Sequence, residues 1–199
     1  LSVLASEMDF IQSEVYKNSF FLGDRMDRIL YYDCTNYYFE IEQENGDKKY
    51  GKSKEHRPNP IVEMGLFMDR DGIPLSMCIT SGSDNEQTTA IPLEKQLTKM
   101  FKGKKFIYCA DAGLGSLNIR NFNSMGGRAF IVTQSIKKLS AALQQAVFSD
   151  TDYHLLSSDE PATIKDMKEF DRHDPQNWDL YNDRIYKIIP ADKAFDLGL

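Results

Sequence analysis

The chain opens with apolar residues at the spacing of one face of an α-helix. They are Leu4, Met8, Ile11 and Val15, with acidic residues between them. This pattern predicts an amphipathic helix over residues 3–17 that covers a core. The next apolar run, residues 29–41, is dense in aromatic and branched side chains, which is typical of a long β-strand.

Two more apolar runs, residues 61–68 and 73–80, flank the turn sequence Asp69-Arg70-Asp71-Gly72. Two strand-like runs around a short turn that ends in Asp-Gly predict a β-hairpin. The stretch before the hairpin, residues 43–60, is polar and rich in Gly, Pro and Lys, which indicates a turn and an exposed loop.

The second half of the chain alternates helices with strands. Thr88 or Thr89 is a candidate cap for a helix that carries Pro92 in its first turn and has Gly103 past its end. The elements predicted after it are a strand at 106–110, a short helix capped by Ser116, a strand at 129–133, a helix at 136–148 and a strand at 184–189.

The order of these elements predicts the fold class. One strand, a hairpin pair, and then helix, strand, helix, strand describe three antiparallel strands followed by crossovers to parallel neighbours. The expectation is an α/β protein with a mixed sheet flanked by helices, which is the ribonuclease H-like architecture. Beyond residue 150 the pattern changes to short segments, which indicates an insertion or another layer.

Composition is that of a folded domain. In 199 residues, 41% are apolar, 12% aromatic and 27% charged, which fits one domain or one plus part of a second. No apolar run is long enough to span a membrane, and no secretion signal precedes the first helix. Because the chain starts at Leu1 without Met and stops at Leu199 after an apolar run, we expect an excised segment of a longer protein, with a processed intact domain as the alternative.

The three cysteines, Cys34, Cys78 and Cys109, are odd in number and far apart. They form no CxxC pair for zinc or redox chemistry, and they lie within apolar runs. We interpret them as buried free thiols in a reducing cytoplasm.

Charge bears on nucleic-acid binding. The net charge of −6 argues against a dedicated DNA-binding domain, which usually carries a basic surplus. A metal-dependent catalytic core, however, must concentrate carboxylates, and a local basic patch can still bind phosphates. The loop cations Lys52, Lys54, His56 and Arg57 form such a patch, although a solvated loop is an equally good interpretation of them.

Asp33 and Asp111 are the candidate catalytic residues. Each follows an apolar run, ILYY or FIYCA, and so lies in or at the end of a central strand. If the two strands are neighbours, both carboxylates converge, and their repulsion calls for a cation. Such carboxylates bind a pair of divalent ions about 4 Å apart that act on a phosphodiester. The alternative is that each Asp only ends a strand and caps a turn.

Other chemistries are less well supported. The chain has no GxSxG, P-loop or HExxH motif, and His56, His154 and His173 are too far apart for a zinc site. The glycines after Asp111 are weak evidence for a nucleotide site. The Asp33-Cys34-Thr35 run is similar to phosphohydrolases with an aspartate nucleophile, but that class has a second Asp where this chain has Thr35.

Four segments together resemble a known family: YYDCTNYYFE, GKSKEHRPNPIVEMGLFMDRDGIPL, SGSDNEQTT and FIYCADAGLGS. They are similar to transposases of bacterial insertion sequences with a DDE catalytic core, and the likeness extends from about residue 4 to residue 189. The resemblance implies that Asp33 and Asp111 bind Mg²⁺ or Mn²⁺. It also implies nicking of the element's ends and strand transfer by the freed 3′ hydroxyl, with Lys52, Lys54, His56 and Arg57 near the DNA backbone.

The resemblance implies partners and a location as well. Transposon ends and target DNA are the expected partners, a homodimer of the full-length protein is left open, and the bacterial cytoplasm, at the nucleoid during activity, is the expected location. The predicted domains are an N-terminal helical segment at 1–28, the first part of the catalytic core at 29–150 and the beginning of an insertion at 151–199.

One feature of the family is missing. Its third carboxylate is a glutamate on a helix after a β-rich insertion, and the late glutamates Glu160 and Glu169 lie in polar stretches unlike that motif. We therefore expect that the chain stops inside the insertion and lacks full activity. The competing hypothesis is a non-catalytic transposase remnant that binds DNA or a protein.

Overall fold

The computed structural model of the protein describes residues 1–25, 27–169, 171, 173–178 and 183–197. It divides into two compact units, Leu1–Gln134 and Ser135–Leu199, and each is described by itself. The predicted domain boundaries at residues 28 and 150 stay predictions.

The first unit is built on a five-stranded sheet with the order β3-β2-β1-β4-β5. β2 runs antiparallel to both β1 and β3, whereas β4 is parallel to β1 and β5 is parallel to β4. This mixed sheet flanked by helices confirms the predicted fold class. The strands are β1 (Ile29–Tyr38), β2 (Ile61–Met68), β3 (Pro74–Ser81), β4 (Ile107–Ala110) and β5 (Ala129–Val132).

The helices of this unit are α1 (Ser2–Ser6), α2 (Met8–Asn18), α3 (Glu86–Met100) and α4 (Leu117–Ser124). The predicted cap of α3 at Thr88 or Thr89 is wrong, because the cap is Asn85, whose side chain accepts the N–H of Gln87. Asn85 has the extended backbone that an N-cap requires. Pro92 consequently lies inside the helix and not in its first turn.

The core lies on one face of the sheet. β1 alternates strictly, and its buried side chains, among them Leu30, Tyr32 and Cys34, face α3. Tyr32, Phe67 and Tyr108 form an aromatic cluster there, with ring centroids 4.7 Å apart for Tyr32–Phe67 and 6.0 Å for Phe67–Tyr108. These rings lie against Leu93 and Leu97 of α3 in the same core.

The N-terminal helix α2 closes one edge of the sheet. The Gln12 side chain accepts the backbone N–H of Met77 at 2.5 Å and donates to the carbonyl of Met77 at 3.3 Å. Met77 belongs to β3, the outermost strand on that side. A glutamine thus takes the place of a neighbouring strand and satisfies an exposed sheet edge.

The described part of the second unit contains a small antiparallel sheet of order β7-β6-β8 and three α-helices. The helix predicted over 136–148 begins only at Ala141, because the Ser140 hydroxyl accepts the N–H of Leu143 and caps it there. Of the strand predicted at 184–189, two residues form β8. The elements are α5 (Ala141–Phe148), β6 (Tyr153–Leu155), β7 (Pro161–Ala162), α6 (Ile164–Glu169), β8 (Ile185–Tyr186) and α7 (Ala191–Asp196).

None of the described helices is long and apolar enough to cross a bilayer. All three cysteines are free, but only Cys34 is buried, while Cys78 and Cys109 are partly exposed. The prediction of three buried thiols is therefore wrong for two of them, because Cys78 and Cys109 lie on strand positions that the helices do not cover fully.

Candidate active site

Asp33 and Asp111 lie at neighbouring parallel strands. β1 and β4 pair with Tyr31 opposite Cys109; Asp33 lies two residues beyond Tyr31 within β1, and Asp111 lies two residues beyond Cys109, directly after β4 and with extended backbone. Side chains two residues apart leave the same face of a sheet, and adjacent strands are about 4.8 Å apart. The two carboxylates therefore leave the same face of the sheet side by side.

Each carboxylate is held by backbone N–H groups through one oxygen. Asp33 Oδ1 accepts the N–H of Cys34 at 2.8 Å. Asp111 Oδ1 accepts the N–H groups of Gly113 at 2.9 Å and Leu114 at 3.1 Å, so Asp111 does cap a turn. The Oδ2 atom of each aspartate has no hydrogen bond to any described residue, which leaves one oxygen of each carboxylate available to a ligand.

The two aspartates line one groove, with a volume of about 450 Å³. This size falls within the range of about 300–1,000 Å³ that is usual for ligand sites. Its wall also includes side chains from β1, β4 and the β2–β3 turn: Tyr31, Met68, Arg70 and Cys109. Burial raises the pKa of the Cys109 thiol.

The alternation of β1 aims Asp33 into the groove. Its neighbour Tyr32 is 2% exposed and its hydroxyl pairs with Thr89 of α3, so the register of the strand is fixed from the core side. Gly65 on β2 makes room for this, because a Cβ there would lie 2.4 Å from the Tyr32 hydroxyl oxygen. A one-residue slip would turn Asp33 into the core, which its charge forbids.

The β2–β3 turn forms the other end of the groove, and a buried ion pair anchors it. Asp69 is 1% exposed, and its Oδ2 accepts from Arg25 Nε at 2.5 Å. Its Oδ1 accepts the N–H groups of Asp71 at 3.0 Å and Ile73 at 2.8 Å. Asp69 is therefore a third carboxylate in the groove wall, but its oxygens are already occupied by protein donors.

The basic loop lies elsewhere. The Lys54 amino group donates to the carbonyl of Cys34 and lies 3.6 Å from Glu86 Oε1. Arg57 lies 4.4 Å from the Tyr38 ring centroid and 3.2 Å from Glu55. The four predicted contacts, Lys52, Lys54, His56 and Arg57, do not line the groove. Lys54 contacts β1 at Cys34, the residue after Asp33.

Sequence reasoning missed Tyr31, Cys109 and Arg70 as parts of this site. The first two had a signal, since each lies two residues before a candidate aspartate and so shares its face. Arg70 had none, because its place in the groove depends on the pairing of Tyr31 with Met68, which sets where the turn lies relative to β1.

The described residues contain no group of three or more Asp, Glu, His or Cys side chains that could hold a metal ion. Glu160 and Glu169 belong to the second unit. Two carboxylate oxygens still suit Mg²⁺, which keeps several waters and is usually held by one or two carboxylates together with substrate phosphates. The residues present therefore fit Mg²⁺ or Mn²⁺ better than a structural zinc ion.

No family model matches the chain, and no curated protein matches it. Several solved structures do, among them structures of Mos1 transposase. The paired-end complex with the left transposon end has a TM-score of 0.37 and 13% identity, over 62% of this chain and 40% of that one. The paired-end complex with Mn has a TM-score of 0.37 and 14% identity, over 65% and 42%.

The catalytic domain of Mos1 mariner transposase matches with a TM-score of 0.35 and 11% identity, over 65% of this chain and 60% of that domain. The chain thus spans between 40% and 60% of these three structures. A likeness this distant assigns no activity, metal or partner to the chain. The fold assignment depends on the chain's own strand order.

Proposed function

We propose that this chain is part of the catalytic core of a DDE-type transposase, which cleaves and joins DNA strands with divalent metal ions. The observation that carries the proposal is the placement of Asp33 and Asp111 side by side at adjacent parallel strands, facing one groove. The four sequence segments that resemble insertion-sequence transposases supply the reaction class. Mg²⁺ or Mn²⁺ would be held by the two Oδ2 atoms.

The protein's own groups prepare this site in a defined way. Backbone N–H groups donate to Oδ1 of each aspartate. The Oδ2 atoms accept no hydrogen bond from the described residues and can bind a cation. Two unpaired carboxylate oxygens on adjacent strands repel each other, and a divalent cation relieves that repulsion. When bound, such ions activate an attacking oxygen and stabilise the leaving oxygen of a phosphodiester.

The proposal includes DNA as the partner, both transposon ends and target, and a bacterial cell as the setting. The third carboxylate of the reaction is not assigned to any residue of this chain. A non-catalytic remnant is not favoured, because both groove carboxylates are present and neither is neutralised by a protein cation in the described residues.

The test is plasmid nicking in Mn²⁺ by the natural protein that contains this chain. Asp33→Asn and Asp111→Asn should each lower the rate at least about 100-fold, because each removes a charged ligand from the metal site. Asp47→Asn is the matched control, since Asp47 is an exposed loop aspartate whose side chain has no partner among the described residues. Undiminished nicking by either Asp33→Asn or Asp111→Asn would contradict the proposal.

A further inference from the structure

The groove has a cationic side chain, that of Arg70, at the end opposite the aspartates. Arg70 lies in the β2–β3 turn, lines the groove, and makes no side-chain hydrogen bond or ion pair with any described residue. We propose that Arg70 binds a backbone phosphate of a DNA strand that runs along the groove to Asp33 and Asp111. One base of that strand stacks on Tyr31. This inference rests on the proposed function and names the residues that guide its substrate.

The spacing places Arg70 beside a flanking phosphate and not at the reacting one. Tyr31 pairs with Met68; Asp33 lies two residues from that pair in one direction and Arg70 two residues in the other. Four strand residues span about 13 Å. That is much longer than one phosphate group, so the cation and the carboxylates meet different phosphates.

Arg70 is available for an anion because its acidic neighbour in the groove wall is already neutralised. Asp69 gives its Oδ2 to Arg25 and its Oδ1 to two backbone N–H groups. The same contacts fix the turn, so that Arg70 projects from a rigid support. A guanidinium binds phosphate through two parallel hydrogen bonds, which suits strand positioning better than a lysine point charge.

Tyr31 supplies an apolar platform between the two charged ends. It is 41% exposed, although it is flanked on β1 by the buried Leu30 and Tyr32. Its hydroxyl has no partner among the described residues. An exposed ring in a groove can stack on a base of any identity, which suits a strand that is held without sequence preference.

The basic loop is less suited to this role. Lys54 and Arg57 both have carboxylate partners, Glu86 and Glu55, and neither lines the groove. An anion would have to compete with those partners. Arg70 has no carboxylate partner among the residues that the structure describes, and so we assign the strand contact to the turn.

The experiment measures binding of this chain to a fluorescein-labelled single-stranded oligonucleotide by anisotropy, in Ca²⁺ and at several salt concentrations. Arg70→Gln should weaken binding at least about fivefold and reduce the slope of log affinity against log salt by about 0.7, the value for one phosphate contact. Tyr31→Leu should weaken binding by about fivefold or more without changing the slope.

Two further variants control for net charge and for geometry. Lys99→Gln removes one charge from an exposed position near the end of α3, which packs on the opposite face of the sheet, and it should bind within about twofold of the wild type. Arg70→Lys should keep the salt slope but lose part of the affinity.

The outcomes separate the two proposals. Wild-type binding with Arg70→Gln indistinguishable from Lys99→Gln overturns the role of Arg70 and leaves the transposase proposal standing. Absence of DNA binding by the wild type contradicts DNA as the partner and overturns both.

Discussion

The two faces of β1 have opposite characters. One face carries Tyr32, which is 2% exposed and packs 4.7 Å from Phe67 between ring centroids. The other carries Tyr31 and Asp33, which line an open groove. Successive residues of this strand therefore have different roles: the even-numbered positions Leu30, Tyr32 and Cys34 are buried in the core, and the odd-numbered positions Tyr31 and Asp33 line the groove. Substitutions should sort by face and not by distance along the sequence.

The largest contrast should come from the two adjacent tyrosines. Tyr32→Ala removes a buried aromatic ring and should lower the free energy of unfolding by about 3–5 kcal/mol. Tyr31→Ala should cost about 1 kcal/mol, because Tyr31 is 41% exposed and lies outside the core cluster. Urea unfolding of the two variants tests this, and equal losses would contradict the division by face.

A second contrast lies inside the groove, between Asp69 and Asp33. Asp69→Ala leaves the buried Arg25 without its partner and should cost about 3 kcal/mol. Asp33→Ala should cost little, because it removes a charge from a repulsive pair. The same urea titrations measure both, and a large loss for Asp33→Ala would mean that this carboxylate has a structural role.

The core face of the sheet also packs against a buried carboxylate, which should make the stability of the protein depend on pH. Glu94 of α3 is fully buried, and its Oε2 accepts from Asn123 at 2.9 Å, whereas its Oε1 and the Asn123 Oδ1 have no hydrogen-bond partner among the described residues. Burial raises the pKa of Glu94. Because the folded pKa lies above the unfolded value of about 4.3, stability is fullest below that pH and falls as the pH rises through the folded pKa.

Glu94→Gln should therefore stabilise the protein by about 1–3 kcal/mol at pH 8, since a neutral amide avoids the buried charge and can donate to Asn123 Oδ1. The gain should disappear near pH 4, where Glu94 is protonated. Thermal unfolding across this pH range is the measurement. A difference that does not depend on pH would rule out the titration of Glu94 as its cause.

The smallest effect is expected at the edge of the sheet. Gln12→Ala removes two hydrogen bonds to the backbone of Met77 and should cost about 1–2 kcal/mol. Hydrogen exchange at the Met77 N–H should accelerate with it. Glu14→Ala, which removes an exposed pair with Lys17 on the same helix, is the control and should change stability by under about 1 kcal/mol.

The element order predicted the sheet and the adjacency of the strands that carry Asp33 and Asp111, because both follow from local pattern and connection rules. Long-range pairs gave no such signal. Arg25 and Asp69 are 44 residues apart, and no sequence pattern around either residue predicts that they form an ion pair. The Asn85 cap was missed because the two threonines that follow it are also good caps. Lys54 was predicted as a loop cation near the DNA backbone, and only the fold places Glu86 beside it.

The most direct test of the central claim is Mn²⁺ binding to this chain, measured by the loss of the free-ion electron paramagnetic resonance signal. Asp33→Asn and Asp111→Asn should each weaken Mn²⁺ binding by about tenfold or more, while Asp47→Asn binds as the wild type does. Equal Mn²⁺ binding by all four proteins would contradict a shared metal site at Asp33 and Asp111.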